Sequence, residues 1–325
     1  MVIFSLRARV AAGVVSFAAA LAIAPAVPAA SAVSAEPVEI SLPGTGVTLF
    51  ENSADRLHVT SYNLSRNRTY LRDRSRDSFA RKANYSEYTV SPGGGRAAGV
   101  STSYTSAGFD TLVLLERGTG KSMMINTVRK PLTASYAFWS RDGSKIALTA
   151  ERKSGGKWRT VGYAVVDVAA RVSRYIPVPD VDPAGTFRWA ADSTHLIVEH
   201  KDGVRFHRAG DGRVVRHIAK VGPPAGGEEA LSPSGRLLTT WCPIRYAEKV
   251  CVIDRATGQI KNRVPTKAES LWGWWDESHV IAVVPKDGGY QAVVGDLRGR
   301  TVRVLAEISS SAYRTDKVYL SFTRK

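Results

Sequence analysis

Two short motifs alternate down the chain, and their order constrains the fold more than any single residue does. The first is an aromatic or small residue, a turn of Ser, Pro, Asp or Gly, and then an apolar strand. It occurs as "YTVSPGGGRAAGV" from Tyr88, "FWSRDGSKIAL" from Phe138, "FRWAADSTHLIV" from Phe187, "ALSPSGRLLTT" from Ala230, "GWWDESHVIAVV" from Gly273 and "AYRTDKVYLSF" from Ala312. The second is a strand ending in a polar residue, a tight turn, and a basic or polar residue opening the next strand: "TSYNLSRNRTY", "VLLERGTGKSM", "AVVDVAARVSRY", "VRFHRAGDGRVVRH", "VCVIDRATGQIKN" and "VVGDLRGRTVRV". The spacing of roughly 40 to 50 residues is that of a four-stranded blade, a unit that buries its apolar faces only by stacking on copies of itself.

The two series are out of step. The second motif comes first, at Tyr62 to Tyr70, and the last copy of the first motif, at Ala312 to Phe322, has nothing after it. One composite blade, with inner strands from the C-terminus and outer strands from the N-terminus, pairs these leftovers and closes the ring, which removes the exposed edges of an open array. The expectation is an all-β fold: a six-bladed β-propeller of four-stranded antiparallel blades, with the strand around Val318 to Phe322 pairing the strand of His58 to Tyr62.

The stretches "WSRDGSKIAL" and "LSPSGRLL", each followed by a hairpin such as "VIDRATG", resemble the repeats of TolB-like six-bladed β-propellers. The similarity spans nearly all of the chain after the leader, although the copies at Tyr88, Phe187 and Ala312 are degenerate. The resemblance implies the fold and leaves the activity open, because such domains serve as protein-binding scaffolds, parts of peptidases or sugar-processing enzymes.

Residues 1–35 stand apart. Arg7 and Arg9 precede the apolar run "VAAGVVSFAAALAIA" and the small-residue tail "PAVPAASAVSAEP". This is the pattern of a secretory signal peptide, with cleavage expected after Ala32 or Ala35. The run is shorter than the roughly 20 residues that span a bilayer, so residues 36–325 are expected to form a single exported β-propeller domain with no integral membrane segment. Loss of the leader lowers the formal charge from +16 to +14, since it carries two arginines and no acid. In an exported chain such a basic surface points to a protein or an anionic envelope polymer as partner rather than to nucleic acid. The densest basic stretch is "SRNRTYLRDRSRDSFARK", residues 65–82. It is expected to be a solvated, mobile connector, or a patch for polyanions that weakens with salt.

The two cysteines, Cys242 and Cys251, lie on apolar runs joined by a short polar connection, as in a hairpin. In an exported protein a disulfide is the expectation. No histidine or further cysteine lies nearby to complete a metal site.

Most recurrent polar residues have a structural explanation. Asp142, Gly143, Asp192, Ser234 and Gly235 carry turn chemistry, and Asp167, Asp254 and Asp296 recur before hairpin turns as caps. Trp139, Trp189 and Trp275 are expected to pack between blades. No G-x-S-x-G elbow, H-E-x-x-H, EF-hand loop or phosphate-binding glycine loop is present. No catalytic residue, metal or cofactor is therefore assigned, and a monomeric, non-catalytic binding or scaffolding module is expected. The alternative is a secreted propeller hydrolase or lyase acting on a glycan or peptide. In a propeller the channel mouth is lined by the starts of the innermost strands. Here these positions carry Tyr88, Tyr136, Arg188, Glu229 and Trp272, with Glu87 beside them, and they are the candidate binding residues.

Overall fold

The computed structural model describes residues 36–324. The leader, with its two candidate cleavage points, lies outside the described residues. In chain order a hairpin, β1 (Val38–Ser41) and β2 (Val47–Glu51), is followed by β3 (Leu57–Leu64), β4 (Arg68–Arg72) and β5 (Phe79–Lys82). Complete four-stranded sheets follow: β6 (Tyr85–Val90), β7 (Arg96–Ser101), β8 (Phe109–Glu116) and β9 (Ser122–Arg129); then β10 (Leu132–Trp139), β11 (Lys145–Ser154), β12 (Lys157–Asp167) and β13 (Val172–Pro177). The next is β14 (Arg188–Trp189), β15 (His195–His200), β16 (Gly203–Arg208) and β17 (Val214–Ile218). Blade 5 holds β18 (Leu237–Trp241), β19 (Val250–Asp254) and β20 (Ile260–Val264), and blade 6 holds β21 (Ser270–Trp274), β22 (His279–Lys286), β23 (Gly289–Asp296) and β24 (Thr301–Ser309). A short helix α1 (Ser310–Arg314) leads to β25 (Tyr319–Arg324). Among the described residues no helix is long and apolar enough to cross a membrane.

The chain closes as the offset motifs require. β25 is the inner strand of blade 1 and pairs antiparallel with β3, Leu320 opposite Tyr62 and Thr323 opposite His58. The split is one strand from the C-terminus and three from the N-terminus. Two motif copies accordingly sit elsewhere than their sequence analogues. "TSYNLSRNRTY" is the turn between the second and third strands of its blade, not the third and fourth, and "AYRTDKVYLSF" is α1 plus one strand, not a hairpin. The β1–β2 hairpin joins the outer edge of blade 6 through β24, Val47 opposite Ile308, so that this edge is covered.

The burial pattern follows from stacking. A middle strand has a neighbouring blade on both faces, so β8 is buried continuously from Asp110 to Leu114. Outer strands touch neighbours along one narrow strip, and β17 buries only Ile218 and β20 only Val264. The buried apolar residues form six clusters, one for each pair of adjacent blades around the ring. Trp139 and Trp189 lie in two of them and Trp275 packs against a third.

Turn caps are where the motifs place them. Asp142 Oδ1 accepts from Ser144 N at 3.0 Å, Asp192 Oδ1 from Thr194 N at 3.0 Å, and Asp254 Oδ1 from Thr257 N at 2.9 Å. Cys242 and Cys251 are joined by a disulfide across the neck of the β18–β19 loop, a constraint that contributes about 2 to 3 kcal/mol for so short a loop. Residues 65–82 are not a connector: they form all of β4, all of β5 and the turns beside them. Thr69, Tyr70 and Leu71 supply the buried strip of β4, which lies between β3 and β5, and the arginines occupy the positions around it.

Candidate binding site

The innermost strands line a central channel, and most of them are irregular there. The ladder shifts register between Tyr85 and Glu87 in β6, Ser135 and Phe138 in β10, and Leu271 and Gly273 in β21, while beside β25 the extra residue is Thr60 of the paired strand β3. Bulges of this kind re-aim side chains out of the sheet alternation. The largest departure is in blade 5, where Ala225 N donates to Thr239 O and Thr239 N donates to Ala230 O, both at 2.9 Å. One residue of β18 thus faces both ends of the segment Gly226–Glu229, which loops out into the channel. Gly226 and Gly227 have φ of 113° and 54°, and a Cβ on Gly227 would lie 2.3 Å from the Tyr319 hydroxyl oxygen. Two glycines are what allow "AGGEEA" to present two adjacent glutamates to the axis.

At the end where the inner strands begin, a cavity of about 420 Å³ opens. Its wall includes Glu87 and Tyr88 of blade 2, Tyr136 of blade 3, Arg188 of blade 4, Glu228 of blade 5 and Tyr319 of blade 1. Tyr136 adopts φ of 58°, a strained conformation for an aromatic residue, and remains 47% exposed. The bulge that imposes this strain leaves Ala137 N to donate to Glu87 Oε1 at 3.2 Å. Arg188 donates through Nε to Gly227 O at 2.6 Å and through Nη1 to Thr186 O at 3.1 Å.

The carboxyl groups of this end are electrostatically exceptional. Burial pushes Glu87 up to about 7, against the backbone amides of Ala137 and Tyr136, which favour its charge. Burial pushes Glu228 up to about 8, opposed by the Ser321 hydroxyl and reinforced by the charges of Glu229 and Glu87. Among the described residues neither carboxylate is in an ion pair. Burial likewise raises the Tyr319 and Tyr136 phenols and weighs against the Arg188 charge.

The other end is finished differently. Glu229 points away from the mouth, into a cavity of about 220 Å³ walled by Trp139, Arg141, Trp189, Phe322 and Arg324. Its Oε2 lies 3.0 Å from Arg324 Nη2 and 3.8 Å from Arg141 Nη2. Arg141 also donates to the carbonyls of Leu231, Ser232 and Pro233 at 2.7, 2.8 and 2.6 Å. Blades 3, 5 and 1 are thereby tied across the axis, and Glu228 lines the cavities on both sides of this floor.

Of the residues expected at the mouth, the structure brings together Tyr88, Tyr136 and Arg188, with Glu87. Glu229 lies at the floor because the blade 5 loop turns it there. Trp272 is 6% exposed and packs edge-on against Tyr319, ring centroids 6.0 Å apart. The bulge beside it in β21 turns its side chain into the interface of blades 6 and 1. Glu228, Tyr319, Arg141 and Arg324 were not singled out from the sequence. The only signal for the first was the run of two glycines before two glutamates.

The fold is shared with TolB from Acinetobacter baumannii, at a TM-score of 0.53 and 17% identity over 85% of this chain and 68% of that one. An oligogalacturonate lyase solved in complex with manganese matches at a TM-score of 0.53 and 12% identity, over 81% of each chain. No protein-family profile and no curated protein sequence matches the chain. At these identities the likeness concerns architecture: the chain has the six-bladed β-propeller fold that TolB also has.

Proposed function

We propose that the protein is an exported, single-domain binding module that receives a protein segment in the open end of its channel. The observation that carries this reading is the convergence of Glu87, Tyr136, Arg188, Glu228 and Tyr319, from five blades, on one cavity whose charged groups are not neutralised by each other. Aromatic walls give contact area, and a few unpaired polar groups fix orientation, which is the composition of a recognition pocket. The disulfide and the leader-like N-terminus support an oxidising, extracytoplasmic location.

One observation favours a second reading. Two carboxyl groups with proton affinities near neutrality are what general acid–base chemistry uses. A hydrolase or lyase would turn over a glycan or peptide at this cavity.

The test is selection from a displayed random-peptide library on the immobilised protein. The wild type is expected to enrich a sequence class, and Tyr136→Ala to lose at least about tenfold in recovery while its stability changes by less than about 1 kcal/mol, as for an exposed side chain. Trp272→Ala, by contrast, is expected to lose about 3 to 5 kcal/mol of stability as a buried Trp. Equal recovery by Tyr136→Ala rejects the site. Steady turnover of a glycan or peptide panel, lost in Glu228→Gln, replaces binding with catalysis.

A further inference from the structure

A second concave site lies at the other end of the inner strands, running across blade 1 from Thr323 and Arg324 of its inner strand to the loop beside blade 2. This groove of about 480 Å³ is walled by the loop joining β4 to β5, the turn at Gly93 and Gly94, and Arg117 in the β8–β9 turn. Its guanidinium groups converge although like charges repel. Arg117 donates to Arg72 O at 2.8 Å and to Gly94 O at 3.0 Å. Arg74 lies over blade 2, its Nη1 3.0 Å from where a Cβ on Gly118 would stand, and Arg76 follows on the same loop.

The compensation is uneven. Arg72 is held by Glu51 at 2.6 Å and Asp77 at 2.5 Å. Arg74, Arg76 and Arg117 have no ion pair among the described residues. The remaining acid of the groove, Asp73, spends Oδ1 on Ser75 N and Ser75 Oγ, at 2.9 and 2.8 Å. Burial first, and then the charges of Arg74 and Arg72, weigh against the Arg117 cation, while Asp73 offsets them only in part. A bound anion relieves this repulsion; an ordinary solvated surface avoids it by letting such side chains diverge.

We infer that this groove is an anion site for a phosphoryl group, distinct from the cavity at the mouth. The cations arrive from a loop of blade 1 and a turn of blade 2, so the ligand must offer acceptor oxygens in more than one plane. A tetrahedral phosphoryl group does so, whereas a carboxylate presents two coplanar oxygens that one guanidinium fork satisfies.

The experiment titrates the chain lacking its leader with inorganic phosphate, with polyphosphate, with polyglutamate of matched charge, and with vesicles of phosphatidylglycerol in phosphatidylcholine. Polyphosphate is expected to bind in a salt-sensitive manner and polyglutamate at least about tenfold more weakly. Arg74→Gln and Arg76→Gln are each expected to cost about tenfold, the scale of one charge-assisted hydrogen bond. Both side chains are on an exposed loop, so the fold is kept. Arg213→Gln, an exposed arginine of the β16–β17 turn, controls for general charge and is expected to change binding by less than about twofold. Retention on the vesicles as well assigns a lipid headgroup as the source, and binding to polyphosphate alone assigns a soluble or wall-borne phosphate. Equal affinity for polyglutamate, or an Arg213→Gln loss as large as that of Arg74→Gln, overturns the proposal.

Discussion

The two ends of the central channel are built from the same inner strands and finished in opposite ways. At the floor, Glu229 sits between Arg141 and Arg324, and the carbonyls of blade 5 take the remaining Arg141 protons. At the mouth, Glu87 and Glu228 are desolvated without a cationic partner, and Tyr136 is held in a strained, exposed conformation. A group desolvated without a partner costs stability unless something outside the chain completes it. Paired charge marks the end that holds the ring together, and buried carboxyls without a cation mark the end available to a ligand. The contrast is sharpest at Glu228 and Glu229, neighbours on one loop that serve opposite ends.

The largest expected effect comes from the strand that belongs to both ends. β25 carries Tyr319 to the mouth and Arg324 to the floor, and its ladder with β3 is the closure of the ring. Deleting residues 318–325 exposes the inner edge of β3 and removes Val318 and Leu320 from the core. The whole domain should then lose its cooperative transition, measured by circular dichroism through a thermal ramp. A truncated chain that melts like the full one would show that neither end depends on closure.

Closure was legible before the structure because offset repeats leave complementary orphans, and only pairing them spares an exposed edge. The turn caps, the inter-blade tryptophans and the cysteine pair were legible for a related reason: each stands at a fixed offset from a hairpin signal. The same offset rule carried Tyr88, Tyr136 and Arg188 to one cavity. It failed for Trp272 and Glu229, where a bulge or a looped-out segment breaks the alternation on which the rule rests. "GGEE" has the composition of a surface loop, and nothing local reveals that Thr239 clamps both of its ends. The arginine-rich stretch from 65 to 82 misled in the opposite sense, since charge density hid the short buried strip of Thr69, Tyr70 and Leu71 that makes β4 a strand.

A smaller effect separates the two ends directly. Arg141→Ala removes three hydrogen bonds to carbonyls and the longer of the two arginine contacts to Glu229, at a site where the arginine side chain is 22% exposed. Stability should fall by about 2 to 3 kcal/mol, the scale of hydrogen bonds made by a charged group. Denaturant unfolding measures this, while peptide capture at the mouth should persist below the transition. If capture is lost and stability is untouched, the floor belongs to the binding site and the contrast is wrong.

The smallest effect, read per pH unit, concerns the mouth carboxyls and accumulates between about pH 5 and pH 8. In the unfolded chain both glutamates titrate near the ordinary value of about 4.3, while in the folded chain burial holds protons on Glu87 up to about 7 and on Glu228 up to about 8. Between those limits the folded state binds more protons than the unfolded one, so these groups make stability decline as the pH rises, and the loss is complete once Glu228 has ionised. Replacing Glu228 by Gln keeps a neutral side chain of similar shape and removes one of the two protons. The decline between about pH 5 and pH 8 should become shallower by up to about 1.4 kcal/mol per pH unit, and the variant should overtake the wild type in alkaline buffer. Glu229→Gln should instead lose stability at neutral pH, because the variant gives up the ion pairs with two arginines at the floor. Parallel pH profiles for the wild type and Glu228→Gln would mean that the Glu228 carboxylate is already satisfied in the folded chain, and the distinction between the two ends would fall with it.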